Sequence, residues 1–506
     1  MNLLNLLIAL PALGFLLILL LPEGLKNSAK LIALGLSLVI FVMSLGLIGP
    51  VLANPGGASF EVNAPWIDTP AIRYHVAIDG LSLWLIILST LLTPLCILIS
   101  WNYIQHRVKE YYAFLLLLEV GVIGVFAAMD LFLFYVFWEV TLVPMYFLIG
   151  IWGHDRRIYA TVKFFLYTMA GSVLMLAAIL YLYSNTGTFD YPVVRELIAS
   201  GRVPMNPTVE ALLFFAFFIA FAIKVPLWPL HTWLPDAHVE APTAGSVMLA
   251  SVMLKMGTYG IVRFCLPLFG GAAREYANII AALAITGIVV GALVAMVQPN
   301  MKKLVAYSSV SHLGFVVLGI FSFNQQGLDG AVYQMLNHGV STGALFMLVG
   351  FLYERNHSLE IKSYGGVATV APHLTTIFLI TTLASIGLPL LNNFVGEFLV
   401  LQGAAIANFK WAVGASVGVI LSACYMLWMF QRTFLGKTPH DVHHHVTDIN
   451  LRELAAVAPL VILMFWMGTA TQTFLPSIAK ANSAVLEQTR NASSAVPMQA
   501  ANHNAR

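Results

Sequence analysis

Long stretches of apolar residues, separated by short charged or Gly/Pro-rich segments, follow one another along nearly the whole chain. Most are about 20 residues long, the length of helix that crosses about 30 Å of hydrocarbon. Transmembrane β-strands would show alternating segments of about ten residues, and these stretches do not alternate. The apolar stretches are at 2–22, 30–53, 79–101, 111–129, 131–152, 157–184, 208–229, 242–266, 276–298, 303–323, 327–353, 373–406, 409–434 and 453–475. The pattern therefore predicts an all-α polytopic membrane protein with about fourteen transmembrane helices.

Composition supports a membrane protein. Of the 506 residues, 59% are hydrophobic and 9% are charged, whereas soluble domains carry about 25% charged residues. The mean hydropathy is +0.85. A net charge of +2 with scattered basic residues provides no basic surface for a nucleic acid, so nucleic-acid binding is excluded.

The three cysteines, Cys96, Cys265 and Cys424, stand singly, without a CxxC pair that would hold a metal or an iron–sulfur cluster. We therefore expect no redox cofactor and no metal in this chain. The first apolar stretch lacks a basic start and a small-residue cleavage site, so it is interpreted as a helix rather than a signal peptide.

The basic residues indicate the orientation of the helices. With the N-terminus outside, the inner loops hold Lys26, Lys30, Arg107, Lys109, Arg156, Arg157, Lys163, Lys302, Lys303, Arg355, Lys362, Arg432, Lys437 and Arg452, and the outer segments hold Arg73, Arg195, Arg202, Arg263, Arg274, Lys410, Lys480, Arg490 and Arg506. Because cytoplasmic loops are richer in basic residues, this distribution favours an N-terminus outside.

Two segments are biased in composition. Residues 482–506, rich in Ala, Ser, Asn and Gln, show no apolar period and predict a disordered outer tail. The inner loop at 440–445 contains four histidines and an aspartate. It could bind zinc, but a solvated loop is the simpler interpretation because nothing else there has ligand spacing.

Several ionisable residues lie inside predicted spans, namely Lys224, Lys255, Glu139, Glu119 and Glu397. A charge at membrane depth costs roughly 3 kcal/mol on insertion scales, so such residues usually face the bundle interior and mark functional sites. A buried ion pair that only fixes helix packing is the structural alternative, but such pairs stabilise weakly. We therefore favour a proton path.

Two histidines extend this series, His312 and His338, each near the middle of a predicted helix. Ser308 lies one turn before His312, and Gln334, His338 and Ser341 share one helical face. Imidazole can accept a proton on one nitrogen and release it from the other near neutral pH. These polar positions predict a relay that passes protons between helices.

Prolines lie near two of the ionisable residues. Pro226 closely follows Lys224, and Pro389 interrupts the stretch that leads to Glu397. Proline removes a backbone donor and clashes with the preceding turn, so both helices should be broken. Two broken helices about 160 residues apart are typical of inverted-repeat transporters. Simple proline kinks are the alternative.

Four segments, FLFYVFWEVTLVPMYFLIGIWG (132–153), 217–260, KKLVAYSSVSHLGF (302–315) and NNFVGEF (392–398), carry a resemblance to a known family. The chain resembles the antiporter-like membrane subunits of respiratory complex I (NADH-quinone oxidoreductase), and among them the subunit M branch, equivalent to mitochondrial subunit 4. The resemblance covers nearly the whole chain. Glu397 fits this branch, since the other antiporter-like subunits typically carry lysine there.

The resemblance implies two inverted five-helix repeats with discontinuous helices 7 and 12. The domains would be N-terminal helices 1–3 at 1–110, a first repeat at 111–268, a second repeat at 269–435, the His-rich loop with helix 14 at 436–481, and the tail at 482–506. It implies that Glu139 and Lys224 are an interacting pair, Lys255 the central proton carrier, His312 and His338 relay groups, and Glu397 the residue near the exit. His231 and Asp236 would lie in the loop after broken helix 7.

By this resemblance the chain is expected to be a proton-translocating membrane-arm subunit of an NADH:quinone oxidoreductase. NADH, FMN, iron–sulfur clusters and quinone are expected in partner subunits. The partners would be neighbouring antiporter-like subunits, membrane lipid and, indirectly, the peripheral redox arm, all at the bacterial inner (cytoplasmic) membrane. The alternatives are a subunit of a multi-subunit cation/proton antiporter or membrane-bound hydrogenase, and a passive structural membrane subunit.

Overall fold

The computed structural model describes residues 2–203, 205–439, 442 and 445–495. Its helices are α1 (Leu3–Leu20), α2 (Lys26–Ala53), α3 (Leu83–Ser100), α4 (Val108–Ala127), α5 (Leu131–Trp152), α6 (Arg157–Thr186), α7 (Tyr191–Ala199), α8 (Pro207–Lys224), α9 (Trp233–Glu240), α10 (Thr243–Leu268), α11 (Ala277–Met296), α12 (Met301–Ile320), α13 (Gln325–Asn356), α14 (Pro372–Ser385), α15 (Asn392–Ala407), α16 (Phe409–Phe434), α17 (Leu451–Thr469) and α18 (Leu475–Ala495). Two strands, β1 (Ser59–Ile67) and β2 (Ile72–Ile78), form an antiparallel hairpin.

Thirteen of these helices are long and apolar enough to cross a membrane within the described residues. The pair α14 and α15, together about as long as one span, corresponds to the predicted stretch 373–406. The observed α5 and α16 begin and end where the apolar pattern placed them. The all-α polytopic prediction is therefore confirmed.

Both predicted helix breaks are present. At the first break, α8 ends at Lys224 just before Pro226, and the chain becomes helical again in α9. The second break separates α14 from α15 and contains Pro389. Each break is closed by the same wide turn, in which Leu227 N donates to Ala222 O (2.7 Å) and Leu388 N donates to Leu383 O (3.0 Å). In the first break this bond satisfies the carbonyl of Ala222, whose helical donor would be the N–H that Pro226 lacks. In the second break Pro389 cannot donate to the carbonyl of Ser385, which instead accepts from the side-chain amide of Asn393 (3.4 Å).

The hairpin and the helices α7 and α18 were not predicted. For α18 the expectation of disorder over 482–506 is wrong across residues 482–495, which are helical. Its buried residues follow a helical stripe of Ile478, Ala481, Asn482, Val485, Leu486 and Thr489. The helix is amphipathic but polar overall, so it contains no continuous apolar stretch of the kind that marks a span. Asn482 donates to Asp329 of α13 (2.8 Å), which ties α18 to the bundle.

Some sequence predictions fall on residues that the structure does not describe. His440, Asp441, His443 and His444 of the histidine-rich loop lie outside the described residues, as do residues 496–506 of the predicted tail.

Candidate functional site

The centre of the site is Lys255, a fully buried side chain on α10. Two π-helical segments of α10, Leu249–Met253 and Ile261–Cys265, flank it. Such segments are rare in helices and are frequent at functional sites. The ammonium donates to the carbonyl of Ala250 in its own helix. It also lies 2.7 Å from Nδ1 of His338.

A row of four buried ionisable side chains begins at Lys255. His338 of α13 is followed by His312 of α12, and the two imidazole centroids are 5.9 Å apart. Nδ1 of His312 lies 2.8 Å from Oε1 of Glu397 on α15. All four are at most 3% exposed. We call Lys255, His338, His312 and Glu397 the buried row, and the structure brings them together from four helices.

Polar side chains support the Glu397 end of the buried row. Gln334 donates to Oε1 of Glu397 (3.0 Å), and Asn337 donates to Gln334 (3.2 Å). The amide of Asn393 donates to Oγ of Ser341 (3.1 Å), which links α13 to α15. Gln334 and Ser341 were predicted from sequence, whereas Asn337 and Asn393 were missed. Asn337 lies one helical turn after Gln334, and this spacing in the sequence could have identified it as part of the same polar face.

The residues Glu139 and Lys224 do not form a direct ion pair. Lys224 is fully buried, and its Nζ has no hydrogen-bond partner among the described residues. The ammonium lies 5.3 Å from the ring centroid of Trp138 and 5.5 Å from that of Phe164. The carboxylate of Glu139 still stabilises this charge through space. The two residues are therefore electrostatic neighbours that no hydrogen bond connects.

Two other predicted residues, Glu119 and Ser308, are buried but do not hydrogen-bond to the buried row within the described part of the chain. Glu119 is fully buried on α4, and neither of its oxygens reaches a hydrogen-bond partner there. Ser308 donates to the carbonyl of Val305 in its own helix (2.7 Å).

The segment after the first break is only partly a loop. His231 lies between α8 and α9, as expected, with its ring centroid 6.3 Å from that of Tyr307. Asp236 was expected in the loop but belongs to α9, where it pairs with Lys163 (2.7 Å). The short α9 begins at Trp233, and Pro235 fits its first turn because the first N–H groups of a helix have no intrahelical partner.

Among the described residues, three basic residues that the sequence assigned to loops are buried in helices, namely Lys30, Arg263 and Lys302. Arg263 lies within α10 and pairs with Asp79 (2.7 Å). Lys302 lies in the first turn of α12, is 4% exposed and donates to the carbonyl of Ala241. The available signal for Arg263 was its position inside the predicted span 242–266. His238 was also missed, and its fully buried ring stacks on Phe346 at 4.5 Å.

A polar network joins the hairpin to α5, the helix that carries Glu139. His75 of β2 lies between two carboxylates, with Nδ1 3.0 Å from Asp190 and Nε2 2.9 Å from Glu61. Burial alone would lower the pKa of His75, but the hydrogen bonds and charges of Asp190 and Glu61 raise it overall. Asp130 caps α5 by accepting from the backbone N–H groups of its first turn (2.9 Å). It also accepts from the backbone N–H of Arg73 (3.2 Å).

The buried row consists entirely of titratable side chains. In order, these groups are an amine, two imidazoles and a carboxylate, and each of them binds and releases protons. Within the described ranges, no group of three His, Cys, Asp or Glu side chains is placed to hold a metal ion.

Comparison with known proteins gives concordant findings. Residues 128–423, more than half of the chain, match the family model described as NADH:quinone oxidoreductase/Mrp antiporter, TM. The chain is 46% identical over 466 residues to NADH-quinone oxidoreductase subunit M of Rhodobacter capsulatus, covering 90% of each chain.

Two solved structures have the same fold. A chain of respiratory complex I from Thermus thermophilus with bound NADH matches with a TM-score of 0.87 and 33% identity, over 96% of this chain and 99% of that chain. A chain of the Mrp complex from Dietzia sp. DQ12-45-1b matches with a TM-score of 0.85 and 20% identity, over 98% of this chain and 100% of that chain. The second likeness shows the fold alone.

Proposed function

Since the chain belongs to the family of membrane subunits shared by NADH:quinone oxidoreductases and Mrp antiporters, we propose that protons cross it along the buried row between Lys255 and Glu397. The chain is a proton-translocating membrane-arm subunit of NADH-quinone oxidoreductase. Identity of 46% to a subunit M, against 20% to the Mrp chain, favours this assignment over a cation/proton antiporter subunit.

The single observation that carries the proposal is how the two histidines use their ring nitrogens. Nδ1 of each histidine contacts a titratable neighbour, Lys255 for His338 and Glu397 for His312. Nε2 of each has no hydrogen-bond partner in the described part of the chain. A proton that arrives on one nitrogen of an imidazole can therefore leave from the other, since no bond holds the second nitrogen.

Lys224 and Glu139 supply the switch in this proposal. A lysine keeps its proton while a carboxylate stabilises it and releases it when that stabilisation weakens. Because no hydrogen bond fixes Glu139 to Lys224, a small shift of α5 or α8 changes their electrostatic coupling. The proton then passes from Lys224 towards Lys255, and this step requires a mobile carrier such as water.

The energy comes from partner subunits. NADH, FMN, iron–sulfur clusters and quinone are bound there, and their redox steps reach this chain as a change of charge or conformation. Neighbouring antiporter-like subunits contact it in the membrane. We place the chain in the bacterial inner (cytoplasmic) membrane with its N-terminus outside, and assign the inverted repeats to 111–268 and 269–435.

The test replaces Lys255 with methionine, which keeps most of the side-chain volume and removes the titratable group. In inverted vesicles, Lys255→Met is expected to abolish proton pumping and coupled quinone reduction per assembled complex. The matched control is Lys410→Met at an exposed outer lysine, which should leave both rates unchanged. Full pumping by an assembled Lys255→Met complex would refute the proposal and favour a passive structural subunit.

A further inference from the structure

An apolar groove of about 250 Å³ opens on the side of the bundle between α2, α3, α13 and α17. Its walls include Leu45, Ile87, Leu336, Val340 and Leu463. An apolar cavity of about 150 Å³ is large enough to bind benzene. The groove therefore has room for a segment of a hydrocarbon chain.

A polar cavity of about 490 Å³ adjoins the groove, and both are lined by Leu52 and Thr473. Its polar wall includes Asn54, Gln472 and Lys480. Lys480 is exposed, and none of the described carboxylates lies within 4.0 Å of its ammonium. The apolar groove thus continues into a pocket that offers an uncompensated positive charge.

Two tryptophans lie where the groove meets the polar cavity and indicate the position of this junction along the membrane normal. Trp84 donates its indole N–H to Ser477 (2.9 Å), and Trp466 donates to Thr473 (3.1 Å). Tryptophan is enriched at the boundary between hydrocarbon and headgroups, with its apolar ring in lipid and its N–H on a polar partner. The polar cavity therefore lies at headgroup level, and the groove extends from it into the hydrocarbon.

We propose that these two cavities form one binding site for a glycerophospholipid. One acyl chain lies in the groove against Leu336 and Val340, and the phosphodiester lies on the ammonium of Lys480. Charge complementarity decides this occupant, because an apolar groove with a cation at its headgroup end matches a phospholipid along its whole length. An occupant without an anionic group would fill the groove but make no ion pair with Lys480.

The experiment uses the assembled complex in detergent and phosphatidylglycerol with a diazirine in its acyl chain. After irradiation, labelled peptides are located by mass spectrometry. We expect the groove segments 41–52 and 463–474 to be labelled well above segment 162–174 of α6, which also exposes large apolar side chains. Lys480→Ala should reduce groove labelling about tenfold, the worth of one charged hydrogen bond.

A second variant, Leu52→Trp, fills the junction from an exposed position and should also reduce the labelling. The matched controls are Lys410→Ala and Leu20→Trp, at exposed positions outside the site, and neither should change it. Equal labelling of the groove and α6 would contradict the proposal, because it would show that the groove holds lipid no more specifically than the rest of the membrane-facing surface. Absence of groove labelling, or labelling unaffected by both Lys480→Ala and Leu52→Trp, would overturn the proposal.

Discussion

Nζ of Lys255 lies 2.7 Å from Nδ1 of His338. A charged lysine only donates, so this contact makes Nδ1 of His338 the acceptor and places the imidazole proton on Nε2. Transfer of the lysine proton to Nδ1 then leaves Nε2 free to release its own proton towards His312. The contact thus makes Lys255 and His338 direct neighbours in the proposed relay between Lys255 and Glu397.

We expect His338→Gln and His312→Gln each to lower proton pumping at least about tenfold, since a positioned acid or base contributes about 10²–10⁴-fold. Glutamine retains hydrogen bonding but cannot carry the proton. The measurement is pumping in inverted vesicles per assembled complex. His373→Gln is the control, because that side chain is 83% exposed and pairs with Asp448 away from the row. Equal losses in all three variants would show that the losses do not come from the buried row.

Glu139→Gln and Lys224→Ala should lower pumping and coupled quinone reduction together. Because no direct ion pair or hydrogen bond joins the two residues, neither change breaks a contact between them, and assembly should remain near normal. Blue-native gels would measure assembly alongside the rates. Loss of assembled complex with full specific activity in the remainder would instead indicate a structural ion pair.

At the end of the buried row, Glu397→Lys should retain more pumping than Glu397→Ala. A lysine there can donate to Nδ1 of His312, as Lys255 does to His338, and Gln334 can turn its carbonyl oxygen towards the new ammonium. Alanine carries no proton. The reversed charge should still reduce the rate below that of the unmodified chain. Equal pumping by all three proteins would remove Glu397 from the path.

The buried pair of Arg263 and Asp79 should matter for stability. Their side chains are 8% and 12% exposed, and removing one partner leaves an uncompensated charge that costs about 3–5 kcal/mol. Asp79→Asn should therefore lower the thermal stability of the purified complex. Glu110→Gln, which breaks the exposed contact with Arg107, should cost about 0–1 kcal/mol. Similar melting shifts for the two variants would contradict this distinction.

The hairpin should become less stably docked as pH rises through the folded pKa of His75. Contacts with Asp190 and Glu61 outweigh the effect of burial and raise that pKa above its usual value of about 6.5. The associated stability is therefore fully present below the unfolded pKa and is lost above the folded one. Hydrogen exchange of residues 59–78, corrected for intrinsic rates, would measure it. His75→Gln should abolish the pH dependence.

The apolar pattern by itself predicted the all-α membrane architecture and the two breaks, since lipid requires long continuous helices and proline cannot continue them. It also identified all four members of the buried row, because ionisable groups at membrane depth are conspicuous. The overall polarity of α18 concealed that helix, since its buried stripe includes Asn482 and Thr489 beside apolar residues and no continuous apolar stretch results.

Only the tertiary structure decided which of these residues touch. Lys255 and His338 are 83 positions apart, and His312 and Glu397 are 85 apart, so helix packing rather than local sequence brings them together. The same packing buried Arg263 beside Asp79 and separated Lys224 from direct contact with Glu139. Sequence reveals that a charge lies in a span, but its partner depends on which helical faces meet, and that is settled by long-range packing.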